Sequence, residues 1–307
     1  MSRDRRLLRW PATVAVIGGL LASAAGCGEP AREPPPEPYV VWAVGDGPDG
    51  GRAAAAVGRL IAADDADRVL YLGDVYAKQA GEKNAGTESE EPRTARRAWF
   101  GNYQSALGGL AELTAPTPGN HDWPVEGDQE VVAAGYKAYW RRIRGRPQPS
   151  YYSFGLGGWE IISLNSQIAS DVDSQQYEWL RSQLSYPGSC RLAFWHRPRF
   201  SAGTKHGDQD NMAPLWEALR GHASIVVSGH EHNMQRFKPI DGLTQFVSGA
   251  GGHSHYDNDP DDDRIAFAND ADYGALRLEL RPGSAHFAFV ALDGRTLDSG
   301  VVRCRPN

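Results

Sequence analysis

Tyr39–Val44 (YVVWAV) runs straight into Gly45-Asp46, and Arg68–Leu72 (RVLYL) runs straight into Gly73-Asp74. Two later stretches repeat the pattern. Leu192–Trp195 (LAFW) stops at His196, and Ser224–Val227 (SIVV) stops at Ser228-Gly229-His230. Short runs rich in Val, Leu and aromatic side chains suit strands buried on both faces of a sheet. Helical spacing separates them: Ala53–Ala63, then Gln129–Ile143 with Val132, Tyr136, Tyr139, Trp140 and Ile143 on one face, then Asp173–Leu184 and Met212–Arg220. Asp173 or Ser174 supplies an N-cap for the third of these. The alternation predicts an α/β body with helices outside a largely buried sheet. The C-terminal part reads differently. Ala275–Leu280, Ala285–Leu292 and Gly300–Arg303 are antiparallel strands joined by turns at Pro282-Gly283 and Asp293-Gly294. A β-rich end on such a body predicts two sheets packed together.

The 307 residues, 41% hydrophobic and 23% charged, are ample for a filled core. The net charge of −6 excludes a protein that holds nucleic acid through bulk basicity. Residues 1–26 read as an export signal: Arg3, Arg5, Arg6 and Arg9 precede an apolar stretch, Thr13–Ala25, too short to span a bilayer. Ala24-Ala25-Gly26-Cys27 resembles a bacterial lipoprotein processing box, in which Cys27 would carry the lipid; an ordinary cleaved signal with an incidental Cys is the alternative. The signal carries a net +3, so the mature chain is at −9. Residues 27–38, rich in Pro and Glu, form an extended linker, and one domain is expected over 39–307. Three cysteines are too few for a disulfide-dense scaffold. Outside the cytoplasm, Cys190 and Cys304 are expected to pair and pin the C-terminal strand; two buried thiols are the alternative.

Polar residues that bind metals or move protons gather where the apolar runs stop: Asp46, Asp74, Asn120-His121-Asp122, His196, His230 and His232. Ligand sites of α/β sheets lie at those strand ends. A single Asp after a strand is usually a cap, but eight such residues call for another explanation. Two hard cations close together need a shared anionic ligand, with carboxylate, imidazole and amide ligands on either side.

The order Gly45-Asp46, Gly73-Asp74, Gly119-Asn120-His121-Asp122, His196 and Gly229-His230-Glu231-His232 resembles the calcineurin-like metallophosphoesterase superfamily across essentially the whole mature domain. Tyr151–Phe154 (YYSF), Ile161–Ser166 (IISLNS) and Gln175–Leu180 (QQYEWL) are similar to its purple-acid-phosphatase-related branch. The resemblance implies an α/β (α+β in some schemes) four-layer αββα sandwich of two packed mixed β-sheets flanked by helices. It implies two metal ions, either divalent (Mn, Zn or Fe) or a mixed Fe(III)/divalent pair. One would be held by Asp46, Asp74 and His232. The other would be held by Asp74, Asn120, His196 and His230, with Asp74 as the bridge. His121 would contact phosphate and protonate the leaving group, oriented by Asp122. Hydrolysis of a small phosphorylated substrate by a metal-bridging hydroxide follows from the resemblance, with a phosphomonoesterase expected. A phosphodiesterase or nucleotidase, or a ligand-binding surface lipoprotein with a degenerate site, are the alternatives. No nucleic-acid partner is expected, and contact with a membrane only through the lipid anchor.

Two positions depart from the family pattern. Many members carry His two residues after the first Asp, where this chain has Pro48. The purple acid phosphatases lack that His and use a Tyr three residues after the bridging Asp; here Tyr76 is two after Asp74. A bulge could bring Tyr76 to the metal; otherwise it is a packed aromatic. Residues 78–98 are polar, lack periodicity and follow Asp74, so a loop is expected there, either a functional lid or an insertion without a role. His206 is a further candidate for substrate phosphate, with a simple loop His as the alternative. His253 and His255 follow a glycine-rich entry that could turn them toward the site, with a surface loop as the favoured reading; Asp257–Asp263 reads as a solvated acidic turn, with a structural Ca²⁺ site as the alternative; and His222 and His286 are expected as structural.

Overall fold

The computed structural model describes residues 37–76, 93–123, 134–186, 188 and 190–304. The proposed signal, Cys27 and the linker up to residue 36 lie outside these. Thirteen strands form two sheets among the described residues. The first sheet contains β1 (Tyr39–Val44), β2 (Arg68–Tyr71), β3 (Thr114–Pro116), β11 (Gly274–Arg281), β12 (Ser284–Ala291) and β13 (Thr296–Arg303), in the order β13-β12-β11-β1-β2-β3. The second contains β4 (Tyr152–Leu156), β5 (Trp159–Ser163), β6 (Cys190–Phe194), β7 (Ile225–Ser228), β8 (Met234–Phe237), β9 (Thr244–Ser248) and β10 (Ile265–Asn269), in the order β10-β8-β9-β7-β6-β5-β4. In the first sheet β1, β2 and β3 run parallel, and β11 joins β1 antiparallel, with Val41 opposite Leu278. In the second, β5, β6, β7 and β9 are parallel and β4 and β8 antiparallel.

Alternation along β1 separates the layers. Val41 and Ala43 face the second sheet with Leu70, Leu72, Leu192, Phe194, Phe246 and Phe289. Trp42 and Val44 face outward to Val57 and Ile61 of α1 (Arg52–Ala62), Tyr103 and Leu107 of α2 (Arg93–Leu107), and Tyr136 and Trp140 of α3 (Ala134–Arg144). Across the second sheet, Ile162, Ala193 and Val226 pack under Leu180 and Leu184 of α4 (Gln175–Leu184) and Leu215 and Trp216 of α5 (Ala213–Leu219). Period-2 strands with one face on each layer require this stacking, and the four-layer αββα sandwich of the sequence reading is the architecture found.

Ser174 is the N-cap of α4, its hydroxyl accepting the Tyr177 N–H at 3.2 Å. Cys190 and Cys304 form a disulfide with Cα atoms 5.4 Å apart. It joins β6 of one sheet to the end of β13 of the other. The expected loop over 78–98 is corrected at its far end, where α2 begins at Arg93. Its first turn, RTAR, carries the polar half of the helix, so the apolar rhythm starts only near Phe100. The helix expected from Gln129 is seen from Ala134; residues 124–133 lie outside the described set.

Candidate metal centre

The polar residues singled out in the sequence stand at strand ends and meet. Asp46 follows β1, Asp74 follows β2, Asn120 to Asp122 follow β3, His196 follows β6, and His230 and His232 lie between β7 and β8. Asp46, Asp74 and His230 have φ of 58°, 68° and 71°. A left-handed conformation costs a non-glycine residue of order 1–3 kcal/mol and persists where surrounding structure enforces it. The enforcement is visible: a Cβ on Gly119 would lie 2.0 Å from Asp74 Oδ1, and one on Gly229 would lie 2.5 Å from Asp46 Oδ2. Backbone presses against both carboxylates, and only glycine leaves room.

Each ligand candidate is held by its other end. The His196 Nδ1–H donates to the Leu72 carbonyl at 2.8 Å, and the His232 Nδ1–H to the Ser254 carbonyl at 2.7 Å. A carbonyl only accepts, so in both rings Nε2 keeps its lone pair. Asp46 Oδ2 accepts the His230 backbone N–H at 2.8 Å, and Asp74 Oδ1 accepts that of His121 at 2.8 Å.

The remaining atoms face one another. His196 Nε2 lies 3.0 Å from Asn120 Oδ1, 3.1 Å from His230 Nδ1 and 3.3 Å from Asp74 Oδ2. On the other side of Asp74, the Tyr76 hydroxyl lies 3.2 Å from Asp74 Oδ2, 3.3 Å from Asp46 Oδ1 and 2.8 Å from His232 Nε2. Tyr76 therefore reaches the ligand cluster despite standing two residues after Asp74. Asp74, His196 and His230 form one compact group of buried ligand atoms. His230 Nε2 is buried without a hydrogen-bond partner among the described residues.

The electrostatics fit a cation. Burial and then the Asp74 charge push Asp46 well above the ordinary carboxylate range. Burial would raise Asp74 too, but His196 and His121 hold it well below. Burial, with His196 next, lowers His230, and burial with His253 lowers His232 to about 3. Neutral imidazoles, a carboxylate that stays ionised and an unpartnered buried nitrogen match what a hard or borderline cation takes.

Around this centre the structure revises several expectations. Asp122 does not orient the His121 ring. Its carboxylate accepts the backbone N–H groups of Asp74 (2.7 Å), Val75 (3.0 Å) and Gly119 (3.0 Å), so it shapes the loop that presents Asp74. His121 packs on the Tyr76 ring with Nε2 3.9 Å from Asp74 Oδ2, and its side chain is 31% exposed. His206 is no simple loop His: it stacks on His230, centroids 4.0 Å apart. Glu231, between the two ligand histidines, is fully buried and accepts the N–H groups of His206 and Gly207 at 2.9 Å each. His253 is drawn inward from the expected surface loop and stacks on Tyr76, while Tyr256 stacks on His232 at 3.9 Å. Two of these had a sequence signal, Glu231 as a carboxylate between two ligands and His253 through its glycine-rich entry; Tyr256 arrives from the same distant loop without one. His255 packs on Tyr273, and Asp262 is tied to Arg264, consistent with an acidic turn.

A family model described as calcineurin-like phosphoesterase matches residues 28–234, and the chain belongs to that family. Purple acid phosphatase 15 of Arabidopsis thaliana is 27% identical over 195 residues, which are 55% of this chain and 36% of that protein. Purple acid phosphatase 21 of the same plant is 28% identical over 137 residues, 40% of this chain and 31% of that protein. The matches thus span about a third of the length of these relatives. Among solved structures, purple acid phosphatase PPD1 of yellow lupin (Lupinus luteus) superposes with a TM-score of 0.70 at 17% identity, covering 86% of this chain and 53% of that one. GAP50, the anchor in the inner membrane complex of Plasmodium, superposes at 0.66 with 15% identity, covering 88% and 90%. These likenesses carry the fold. An anchor and a phosphatase share it, so function rests on the site.

Proposed function

We propose that the chain is an exported, metal-dependent phosphate ester hydrolase, most active on monoesters. The convergence of Asp46, Asp74, Asn120, His196, His230 and His232 from separate strand ends onto one buried cluster carries the reading. Asp46, Asp74, Tyr76 and His232 would hold one cation, and Asp74, Asn120, His196 and His230 the other, both divalent or one of them Fe(III). The cations would neutralise the phosphate and lower the pKa of a water between them. The residues of the chain do the rest. Asn120 offers its amide to a phosphate oxygen. His121, partly exposed with Nε2 3.9 Å from Asp74 Oδ2, would give its proton to the leaving alkoxide. His206, held by Glu231 and stacked on His230, would hold a phosphate oxygen.

The disulfide supports folding in an oxidising compartment, and no helix among the described residues is long and apolar enough to cross a membrane. Tethering through lipidated Cys27 is part of the proposal; mass spectrometry of the protein from cells should find the acylated cysteine. The test of function is turnover of aryl phosphate monoesters and diesters by purified protein loaded with Mn²⁺, Zn²⁺ or iron. Monoester turnover exceeding diester turnover is expected. The reverse ratio would make the protein a diesterase, and no turnover of either with two metals bound would refute hydrolysis.

A further inference from the structure

Two imidazoles pack on the Tyr76 ring. That of His121 is tilted at 53°, but that of His253 lies nearly parallel, 15° between planes and 4.0 Å between centroids. His253 is itself anchored twice. Its Nδ1 is 3.1 Å from Asp49 Oδ2, and its backbone N–H donates to the Asp46 carbonyl at 3.0 Å. Asp49 is 2% exposed, and its other oxygen accepts the Gly51 N–H at 2.6 Å, next to the start of α1. Gly252, with φ of 140°, admits the approach: a Cβ there would lie 2.4 Å from the Ala54 nitrogen. The Tyr76 backbone is clamped as well, its N–H on the Pro48 carbonyl at 2.8 Å and its carbonyl on Asn102 Nδ2 at 2.7 Å. The loop after β1, which has proline rather than a ligand at position 48, thus supplies a carbonyl and a carboxylate that both bear on Tyr76.

We propose that Asp49 and His253 are a positioning pair that fixes the Tyr76 hydroxyl where Asp46, Asp74 and His232 converge. The proposal rests on the metal-centre reading above. It explains how a tyrosine one residue out of the family's spacing still arrives at the cluster. Ring stacking fixes the plane of the phenol, and the bond to Asp49 fixes the plane of the stacking partner. A residue that orients a ligand typically changes metal affinity 10–100-fold on removal.

The test is a double-mutant cycle on the full chain. Affinity for each of two equivalents of Mn²⁺ or Zn²⁺ is measured calorimetrically, without substrate. His253→Ala and Tyr76→Phe should each weaken the weaker-held equivalent about 10–100-fold, and the double variant should be no worse than Tyr76→Phe. His253→Phe, which keeps a ring but loses the bond to Asp49, should fall between wild type and His253→Ala. With iron bound, His253→Ala should also shift the visible tyrosinate absorption. If His253→Ala weakens metal equally in the Tyr76→Phe background, or leaves metal affinity unchanged while raising KM, the pair does not act through Tyr76. Wild type that binds two metals alongside an indistinguishable His253→Ala overturns this proposal alone. Wild type that binds none overturns the metal-centre reading, and this proposal with it.

Discussion

On one side of Asp74 stand Asn120, His196 and His230; on the other stand Asp46, Tyr76 and His232. The first group is tight: His196 Nε2 lies 3.0 Å from Asn120 Oδ1 and 3.3 Å from Asp74 Oδ2. The second is filled by a protonated phenol, whose pKa burial and then the Asp74 charge raise well above the ordinary value. Loading a cation on the Asn120 side draws only on side chains that the motif itself places at the strand ends. Loading one on the Tyr76 side must also expel a proton and rely on a ring held from outside the motif. The two halves should differ in affinity, in pH response and in tolerance of substitution.

The largest effect is expected where the halves meet. Asp74→Asn removes the shared anion, so both metals should be lost by elemental analysis and turnover should fall roughly 10⁴-fold, as when one member of a catalytic unit is deleted. Retention of one metal would mean that the halves do not share Asp74. The next effects are one-sided. His230→Ala and His232→Ala should each leave about one metal per chain and lower turnover about 10²–10³-fold, the scale of losing one group that stabilises transition-state charge. The metal left in His230→Ala should be the one sensitive to Tyr76→Phe. If either variant keeps both metals, the partition of ligands drawn here is wrong.

The unequal legibility of the two halves has a physical cause. His196, His230 and Asn120 could be read because strands end in the same place, and a residue one or two beyond the last apolar position must emerge at that edge. Two packed sheets with helices outside them were legible from strand and helix patterns, while the four-layer order came with the family resemblance, because a strand such as YVVWAV, apolar at every position, does not mark which residue faces which layer. Tyr76 was ambiguous because its placement depends on the Pro48 carbonyl, Asn102 and His253, residues up to 177 positions away in sequence whose contacts have no local period. The orienting role of Asp122 was carried over from the family resemblance, whereas here a tight turn sends its carboxylate back to the N–H groups of Asp74 and Val75. The helix α2 was not read from the sequence at all: its first turn, RTAR, offers no apolar rhythm and continues a polar stretch that reads as loop.

Substituting the glycines compares the halves more gently. Gly119→Ala pushes a methyl toward Asp74, and Gly229→Ala pushes one toward Asp46. Gly119→Ala, whose methyl would stand 2.0 Å from Asp74 Oδ1, should displace its carboxylate further than Gly229→Ala, at 2.5 Å from Asp46 Oδ2, and each should cost about 10²-fold or more in turnover, since a misplacement of about 1 Å at a reacting centre is that expensive. Circular dichroism should remain native. Gly119→Ala should affect both metals and Gly229→Ala only the one on the Tyr76 side; equal effects would argue against separable halves.

The smallest expected difference is in pH response, and its sign can be worked out. Above pH 7 an ordinary imidazole is already neutral, and His230 and His232 are lowered further, His232 to about 3. Asp74 is held well below the carboxylate range. Of the ligands on the Asn120 side, His230 and Asp74 therefore release no proton on binding metal between pH 7 and 8.5 and should add no slope to the affinity there. The Tyr76 phenol is raised well above 10, by burial and then by Asp74 and Asp46, so it is protonated throughout that window. If it binds as phenolate it must lose one proton, and the affinity of that half should rise about tenfold per pH unit. Calorimetry in buffers of different ionisation enthalpy counts the proton directly. Tyr76→Phe should abolish most of the slope and leave the other half unchanged. A flat response in wild type would show that Tyr76 keeps its proton and serves the cluster as a hydrogen-bond donor, leaving Asp46, Asp74 and His232 to hold that cation alone.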